Sequence, residues 1–128
     1  MIKKSILLVD DDSMVLSTIK RLLEKAGHVV SAFQNPKEAI EATLMEDFDL
    51  IIADIRMPEI DGVQAVRYMR QIREDKNKPD IPEIFITGYA EDDAKSARAL
   101  NPYAVHFKPF DLNEFLKIVN EALSRQDG

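Results

Sequence analysis

The chain has no cysteine among its 128 residues and no long apolar run. Without cysteine there can be no disulfide framework and no thiolate metal site, which fits a reducing compartment such as the cytoplasm. No apolar run approaches the ~18 residues that a membrane helix needs. No long apolar region follows Lys3 and Lys4, so a signal peptide is not expected either. The length predicts a single domain over residues 1–128.

Basic surface is also scarce, because the formal net charge is −6. An acidic domain without a basic stripe repels nucleic acid, so we expect no direct nucleic-acid binding. A cation or a locally basic protein partner fits the charge better. The charge also serves solubility, and on its own it indicates nothing more specific.

Short apolar runs alternate with segments of helical period along the whole chain. The runs predict five strands: Ile6–Val9, Val29–Phe33, the segment DLIIADI at 49–55, Glu83–Thr87 and the segment AVHF at 104–107. Such βα units predict an α/β fold of three layers, in which helices cover both faces of a parallel sheet. Among doubly wound sheets, five strands fit the flavodoxin-like order 2-1-3-4-5.

Capping residues and apolar periodicity predict where each helix begins and which face it buries. Asp12 or Ser13 is expected to cap the first helix, and the later caps are Asn35, Asp61 and Asp111. The buried faces are expected to include Leu44 in the second helix and Leu112 in the fifth. The fourth helix offers only a thin apolar stripe, formed by Ala94, Ala97 and Leu100. We therefore expect it to be the most loosely held helix.

Polar residues stand at the ends of four of the predicted strands. They are Asp10, Asp11 and Asp12 after strand 1, Asp54 at the end of strand 3, Thr87 at the end of strand 4 and Lys108 after strand 5. Ligands of open α/β sheets bind at this edge, where strands 1 and 3 diverge in their connections. Clustered carboxylates repel one another unless a cation lies among them, and all-oxygen ligands favour Mg²⁺, or Mn²⁺ in its place. A cation, a lysine and a hydroxyl around a carboxylate can hold a phosphoryl group. Each residue alone has an ordinary structural explanation as a cap, a turn former or a β-former.

Four segments in order, LLVDDD, IIADIRMPEIDG, IFITG and FKPF, resemble the receiver domain of two-component response regulators over essentially the whole chain. The resemblance implies that Asp54 accepts a phosphoryl group from a histidine kinase or a histidine phosphotransfer protein. It implies that Asp11, Asp54 and the backbone carbonyl of Arg56 bind the metal, and that Asp10 holds it through water. Thr87 and Lys108 would bind the phosphoryl oxygens. Such a domain is a signalling phosphoacceptor that assists its own phosphorylation and dephosphorylation, and it is not otherwise an enzyme.

The resemblance also implies a switch, in which Thr87 moves toward the phosphoryl group. The face formed by helix 4, strand 5 and helix 5 then repacks and binds an output domain or a downstream protein. Many receivers carry an aromatic residue three positions before the strand-5 lysine, but here that position is Val105. We therefore expect the backbone and helix 4 to carry the switch. Bulky Arg56 and Tyr89 near the site suggest slow dephosphorylation, and Pro109 suggests a cis peptide bond.

Three other classes are considered beside this one. A flavin carrier needs a Ser-, Thr- and Gly-rich phosphate loop after strand 1, where this chain has DDDSM. A magnesium-dependent phosphatase usually carries its nucleophile in an Asp-x-Asp motif of strand 1, and no such spacing occurs within strand 1, Ile6–Val9. A receiver-like interaction module that is never phosphorylated usually loses part of the set formed by the acids after strand 1, the phosphoacceptor Asp, the Thr and the Lys, whereas this chain keeps all of it. Met1 directly before strand 1 suggests a native N-terminus, while the end at Gly128 fits either a single-domain regulator or the start of a linker.

Overall fold

The computed structural model describes residues 3–88, 91–108 and 111–125. Five strands and five helices alternate along this part of the chain: β1 Ser5–Val9, α1 Ser13–Lys25, β2 Val29–Phe33, α2 Pro36–Met45, β3 Leu50–Asp54, α3 Gly62–Asp75, β4 Glu83–Thr87, α4 Glu91–Arg98, β5 Ala104–Phe107 and α5 Leu112–Ser124. The strands form one sheet of order β2-β1-β3-β4-β5, in which every neighbouring pair is parallel. The predicted α/β fold and strand order are confirmed.

Alternate residues of the central strands pack in two apolar clusters on opposite faces of the sheet. Leu7 and Val9 of β1 pack in the cluster that α2, α3 and α4 cover. Ile6 and Leu8 pack in the cluster that α1 and α5 cover. All four of these side chains are fully buried, as expected for a parallel sheet between two helical layers.

Side-chain caps begin four of the helices, and they include the predicted ones. The carboxylate of Asp12, rather than Ser13, accepts from the amides of Met14 and Val15. Asn35 precedes Pro36 at the start of α2, Asp61 forms a capping box with Gln64, and Asp111 accepts from two amides of α5. Each of these caps lies between the carboxyl end of a strand and the helix that follows it.

Two apolar residues expected in the core lie outside it. Leu44 is 54% exposed, because the buried side of α2 runs through Ala39, Ala42 and Thr43, and Leu44 lies well round the helix from that stripe. Leu112 is 40% exposed, because it occupies the first position of α5, beyond the end of β5. Both predictions were wrong, because apolar character alone shows neither how a helix is rotated on the sheet nor where its contact with the sheet begins.

The fourth helix is short and buries little. α4 has eight residues, and its buried side chains, Ala94 and Ala97, are small. On neighbouring β5, Val105 packs against the α4 side of the core, whereas Phe107 is 39% exposed. Among the helices of the described residues, none is both long enough and apolar enough to cross a membrane.

Candidate functional site

The register of the sheet brings the polar strand ends to one edge. Val9 lies beside Ala53, so the residues that follow β1 adjoin Asp54 at the end of β3. Asp54 pairs with Ile86, one residue before Thr87. Thr87 in turn pairs with Phe107, one residue before Lys108. The residues selected from the sequence therefore lie together although they are far apart along the chain.

Three carboxylates form a cluster at this edge. Asp10, Asp11 and Asp54 each place one carboxylate oxygen within 4.8 Å of the other two. Asp10 is fully buried and Asp54 is 5% exposed, whereas Asp11 faces solvent. Two buried anions with a third beside them are unfavourable without positive charge, so the cluster has the charge and the ligand type that a hard divalent cation requires.

The backbone after β1 holds Asp10 in place. Its amide donates to the carbonyl of Phe33 at 3.1 Å, and its Oδ1 accepts from the amide of Asp12 at 2.9 Å. Its Oδ2 is buried and accepts no well-directed hydrogen bond from the described residues. The charge on this oxygen is met by Lys108, whose Nζ lies 3.0 Å away.

Lys108 supplies the positive charge of the site. Its Nζ lies 3.0 Å from Asp10 Oδ2 and 3.5 Å from Asp54 Oδ1, so it bridges the ends of β1 and β3. Burial alone would lower the pKa of the ammonium group, but Asp10 and then Asp54 outweigh it and raise the pKa. Lys108 therefore remains charged at neutral pH, where it offsets part of the repulsion among the carboxylates.

The carboxyl group of Asp54 is difficult to ionise. Burial is the largest cause, the charge on Asp10 adds to it, Lys108 opposes it, and Asp11 contributes further, so the pKa rises to about 7. The neighbouring anions Asp10 and Asp11 therefore add to an effect that burial begins. A divalent cation among the carboxylates would favour the ionised form and reverse that effect.

The loop after Asp54 folds tightly under the site. The amide of Ile55 donates to the carbonyl of Ile86 at 3.0 Å, and the amide of Gly62 donates to the carbonyl of Ile55 at 2.7 Å. A β-carbon at Gly62 would overlap the backbone carbonyl of Asp54. Within this loop, Glu59 adopts a left-handed φ of 70° and forms an ion pair with Lys37 of α2 at 2.8 Å. The loop thus fixes the backbone on which Asp54 is presented.

The remaining predicted residues lie around the same cleft or outside the described residues. Thr87 is fully buried at the end of β4, and Arg56 lines the cleft with Asp54 and Lys108. The expectations for Tyr89 and for the peptide bond before Pro109 fall on residues outside the described ranges. The roles assigned to the described residues stay predictions, while their convergence is a feature of the structure.

One residue of the cleft was not anticipated from the sequence. Asp93, the third residue of α4, lines the cleft and accepts a hydrogen bond from Nε of Arg56 at 2.7 Å. The acid-rich start of α4, EDDA, was the available signal, but acids in the first turn of a helix are common. Only the packing of α4 shows which of them reaches the loop after β3.

Comparisons with known proteins agree with the fold. The chain is 36% identical over 127 residues to the response regulator receiver protein CpdR of Brucella abortus, covering 94% of this chain and 97% of CpdR. It is 33% identical over 117 residues to the DNA-binding transcriptional regulator NtrC of Escherichia coli, covering 91% of this chain but 24% of NtrC. The chain therefore spans nearly all of one relative and about a quarter of another.

A solved structure, a CheY-like response regulator receiver domain from Methanospirillum hungatei, is also similar. It superimposes with a TM-score of 0.87 at 27% identity, with 98% of each chain covered. The family model described as "Response regulator receiver domain" matches residues 6–120. By its sequence and by its strand order, the chain belongs to the family of response regulator receiver domains.

Proposed function

We propose that Asp54 is the residue on which this receiver domain is phosphorylated, and that residues 1–128 form one such domain. Receiver domains of two-component systems act as phosphoacceptors, and this chain belongs to that family. The convergence of Asp10, Asp11 and Asp54 on Lys108 supports the assignment. Among the acids of this cluster, Asp54 suits the role of phosphoacceptor because it is the last residue of the central strand β3, directly before the tightly held loop.

The proposed reaction is transfer of a phosphoryl group from a phosphohistidine to Asp54. A carboxylate oxygen of Asp54 attacks phosphorus, the bond from phosphorus to the histidine nitrogen breaks, and the imidazole takes up a proton as it leaves. Lys108 Nζ lies 3.5 Å from Asp54 Oδ1 and would form an ion pair with the phosphoryl oxygens once they are attached to Asp54. The hydroxyl of Thr87 would donate a hydrogen bond to the same group.

We propose that Mg²⁺ binds at the acidic cluster, with Mn²⁺ able to replace it. Asp11 and Asp54 would ligate the ion together with the backbone carbonyl of Arg56, and Asp10 would hold it through water. The ion, when bound, neutralises carboxylate charge and stabilises the charge on the transferring phosphoryl group. The raised pKa of Asp54 supports a cation at this place, because burial and then the charges of Asp10 and Asp11 make the ionised form costly, and a bound cation would offset that cost.

The domain would thereby assist its own phosphorylation and its own dephosphorylation. In the return reaction, water attacks phosphorus, the bond to Asp54 breaks, and phosphate leaves. We propose that the phosphodonor is a histidine kinase or a histidine phosphotransfer protein in the cytoplasm. We further propose that an output domain or a downstream protein binds the face formed by α4, β5 and α5. The short α4 and the exposed Phe107 support a surface that can change there.

Incubation with Mg²⁺ and acetyl phosphate, followed by intact-mass measurement, tests the assignment. We expect one added phosphoryl group, which is lost in Asp54→Asn and retained in Asp47→Asn. Asp47 is an exposed acid near the opposite end of β3, where it pairs with Lys78, so it is a matched control for the change of charge. If the parent protein remained unmodified with both acetyl phosphate and a phosphorylated histidine phosphotransfer protein, the interaction-module alternative would be favoured instead.

A further inference from the structure

An ion pair joins the loop that carries the phosphorylation site to the start of α4. Arg56 Nε donates to Asp93 Oδ2 at 2.7 Å, with the Arg56 side chain 59% exposed and the Asp93 side chain 19% exposed. Arg56 follows Asp54 by two residues, and both partners line the cleft that contains Asp54 and Lys108. The guanidinium group is therefore held at the rim of the proposed phosphorylation site by an acid from another element.

Phosphorylation would place a second anion within the reach of this arginine. A phosphoryl group carries close to two negative charges and three acceptor oxygens, and it suits the planar donors of a guanidinium group. The competing partner, Asp93, is a single carboxylate, and its pair with Arg56 is open to solvent on the arginine side, where salt can weaken it. The two anions would thus compete for Arg56 on similar terms.

The pair also contacts the first turn of α4, a helix that buries little apolar surface among its described side chains. The helix has eight residues, and its buried side chains on the sheet are two alanines, Ala94 and Ala97. Alanines remove little apolar area from water, so the Arg56–Asp93 ion pair matters more for the position of this helix than it would for a helix with large buried side chains.

We propose that Asp93 is a positioning residue that competes with the phosphoryl group on Asp54 for Arg56 and so shortens the lifetime of the aspartyl phosphate. The inference rests on the proposed phosphorylation of Asp54. When Arg56 turns to the phosphoryl group, its side chain covers the side from which water must approach phosphorus. When Asp93 holds Arg56, that side is open. Hydrolysis itself forms a bond from the water oxygen to phosphorus and returns the electron pair of the broken bond to the Asp54 carboxylate, while the water protons go to phosphate and solvent.

This arrangement predicts opposite effects for the two partners of one ion pair. Arg56→Ala removes the cover and keeps the backbone carbonyl, so the phosphorylated form should decay faster, by roughly threefold. Asp93→Asn weakens the competing hold on Arg56 in favour of the phosphoryl group, so decay should slow by roughly threefold. If the pair served only to stabilise α4, both substitutions would remove the same contact and would move decay in the same direction.

The experiment follows decay after the protein has been phosphorylated with acetyl phosphate and Mg²⁺ and the donor removed. The parent, Arg56→Ala, Asp93→Asn, the double variant and Asp92→Asn are compared by intact mass over time. Asp92 is the exposed neighbour of Asp93 in α4, so it controls for the change of charge and should leave the decay unchanged. The double variant should decay like Arg56→Ala, because Asp93 acts only through the arginine.

Two results would overturn the inference. One is a change in the same direction for both single variants, and the other is a slowing by Asp93→Asn that persists without Arg56. The extent of labelling at time zero is a separate readout, because it reports on phosphorylation of Asp54 itself. A parent that is labelled normally while the variants fail these tests refutes the role of Asp93 and leaves the proposed function intact.

Discussion

Lys108 Nζ lies 3.0 Å from Oδ2 of Asp10, a carboxylate that is completely buried. This contact joins two separate parts of the site, because the lysine that follows β5 reaches across to the acid that follows β1. The ion pair offsets part of the cost of burying the Asp10 carboxylate. Substitutions at Lys108 should affect the metal-free fold and the chemistry in different ways.

Lys108→Met should destabilise the metal-free protein by about 3 kcal/mol, because it leaves Asp10 buried without its cation. The same change should tighten Mg²⁺ binding by about tenfold, since a competing positive charge has been removed from the carboxylates. Urea unfolding in EDTA and calorimetric titration with Mg²⁺ measure the two effects. Phosphorylation by acetyl phosphate should be slow even with Mg²⁺ saturating.

Lys37→Met is the matched control for this prediction. Lys37 forms its ion pair with Glu59 on the exposed loop, so its loss should leave both the unfolding midpoint and Mg²⁺ binding close to those of the parent. A Lys108→Met protein as stable in EDTA as Lys37→Met would show that Asp10 is satisfied in another way.

The raised pKa of Asp54 makes stability depend on pH when no metal is bound. The folded protein holds a proton on Asp54 up to about pH 7, whereas in the unfolded chain the group loses it near 3.8. The folded state therefore binds more protons between these values, and stability falls as pH rises through them. Asp54→Asn removes the buried charge, so in EDTA it should unfold at higher urea than the parent at pH 8.

The expected gain for Asp54→Asn at pH 8 is on the order of 2 kcal/mol, less than the full shift implies because the cleft is open to water. Near pH 4 the two proteins should be about equally stable. Asp47→Asn, which changes an exposed acid, should follow the parent at both pH values. If Asp54→Asn and the parent were equally stable at pH 8, the raised pKa of Asp54 would be contradicted.

The fold was largely predictable because its signals are local and repeated. The apolar runs of β1, β3 and β4 have no polar interruption before their ends, so the positions of Asp54 and Thr87 marked one edge of the sheet. Parallel pairing then brings such ends together whatever their separation in sequence. The contact between Asp10 and Lys108 needs more than this rule, because β3 and β4 lie between β1 and β5 and the lysine side chain has to reach across them.

Features that depend on the packing of one helix were not predictable. The outward position of Leu44 is decided by how α2 rolls on the sheet, and the contact between Arg56 and Asp93 by where α4 begins. Both involve a rotation or a shift of a few ångströms, which periodicity does not record. The raised pKa of Asp54 likewise depends on distances between side chains rather than on residue types.

Mg²⁺ affinity should rise with pH, because the ion and the proton compete for Asp54. Below the pKa of about 7, the affinity should fall by up to about tenfold per pH unit. Calorimetric titration at pH 6, 7 and 8 checks this. Asp54→Asn should bind Mg²⁺ more weakly and with a flatter pH profile, whereas Asp47→Asn should retain the slope of the parent. A parent affinity independent of pH across this range would count against Asp54 as the titrating ligand.

Gly62→Ala should damage the site more than the fold, because the added β-carbon would overlap the carbonyl of Asp54. The loop from Ile55 to Gly62 is closed by a hydrogen bond of 2.7 Å between those residues, so it cannot absorb the methyl group without moving Asp54. Phosphorylation should therefore slow by at least about tenfold. Labelling rates with acetyl phosphate and Mg²⁺ affinity both report the displacement.

Gly27→Ala separates this effect from a general loss of stability. Gly27 has a left-handed φ of 97° after α1, so alanine there costs about 1 kcal/mol of backbone strain, while its β-carbon would meet no atom within 4 Å. It lies at the opposite edge of the sheet from Asp54, so labelling should remain at the parental rate despite a lower unfolding midpoint. If Gly62→Ala were also labelled at the parental rate, the loop would be yielding elsewhere, and its close packing would not be what positions Asp54.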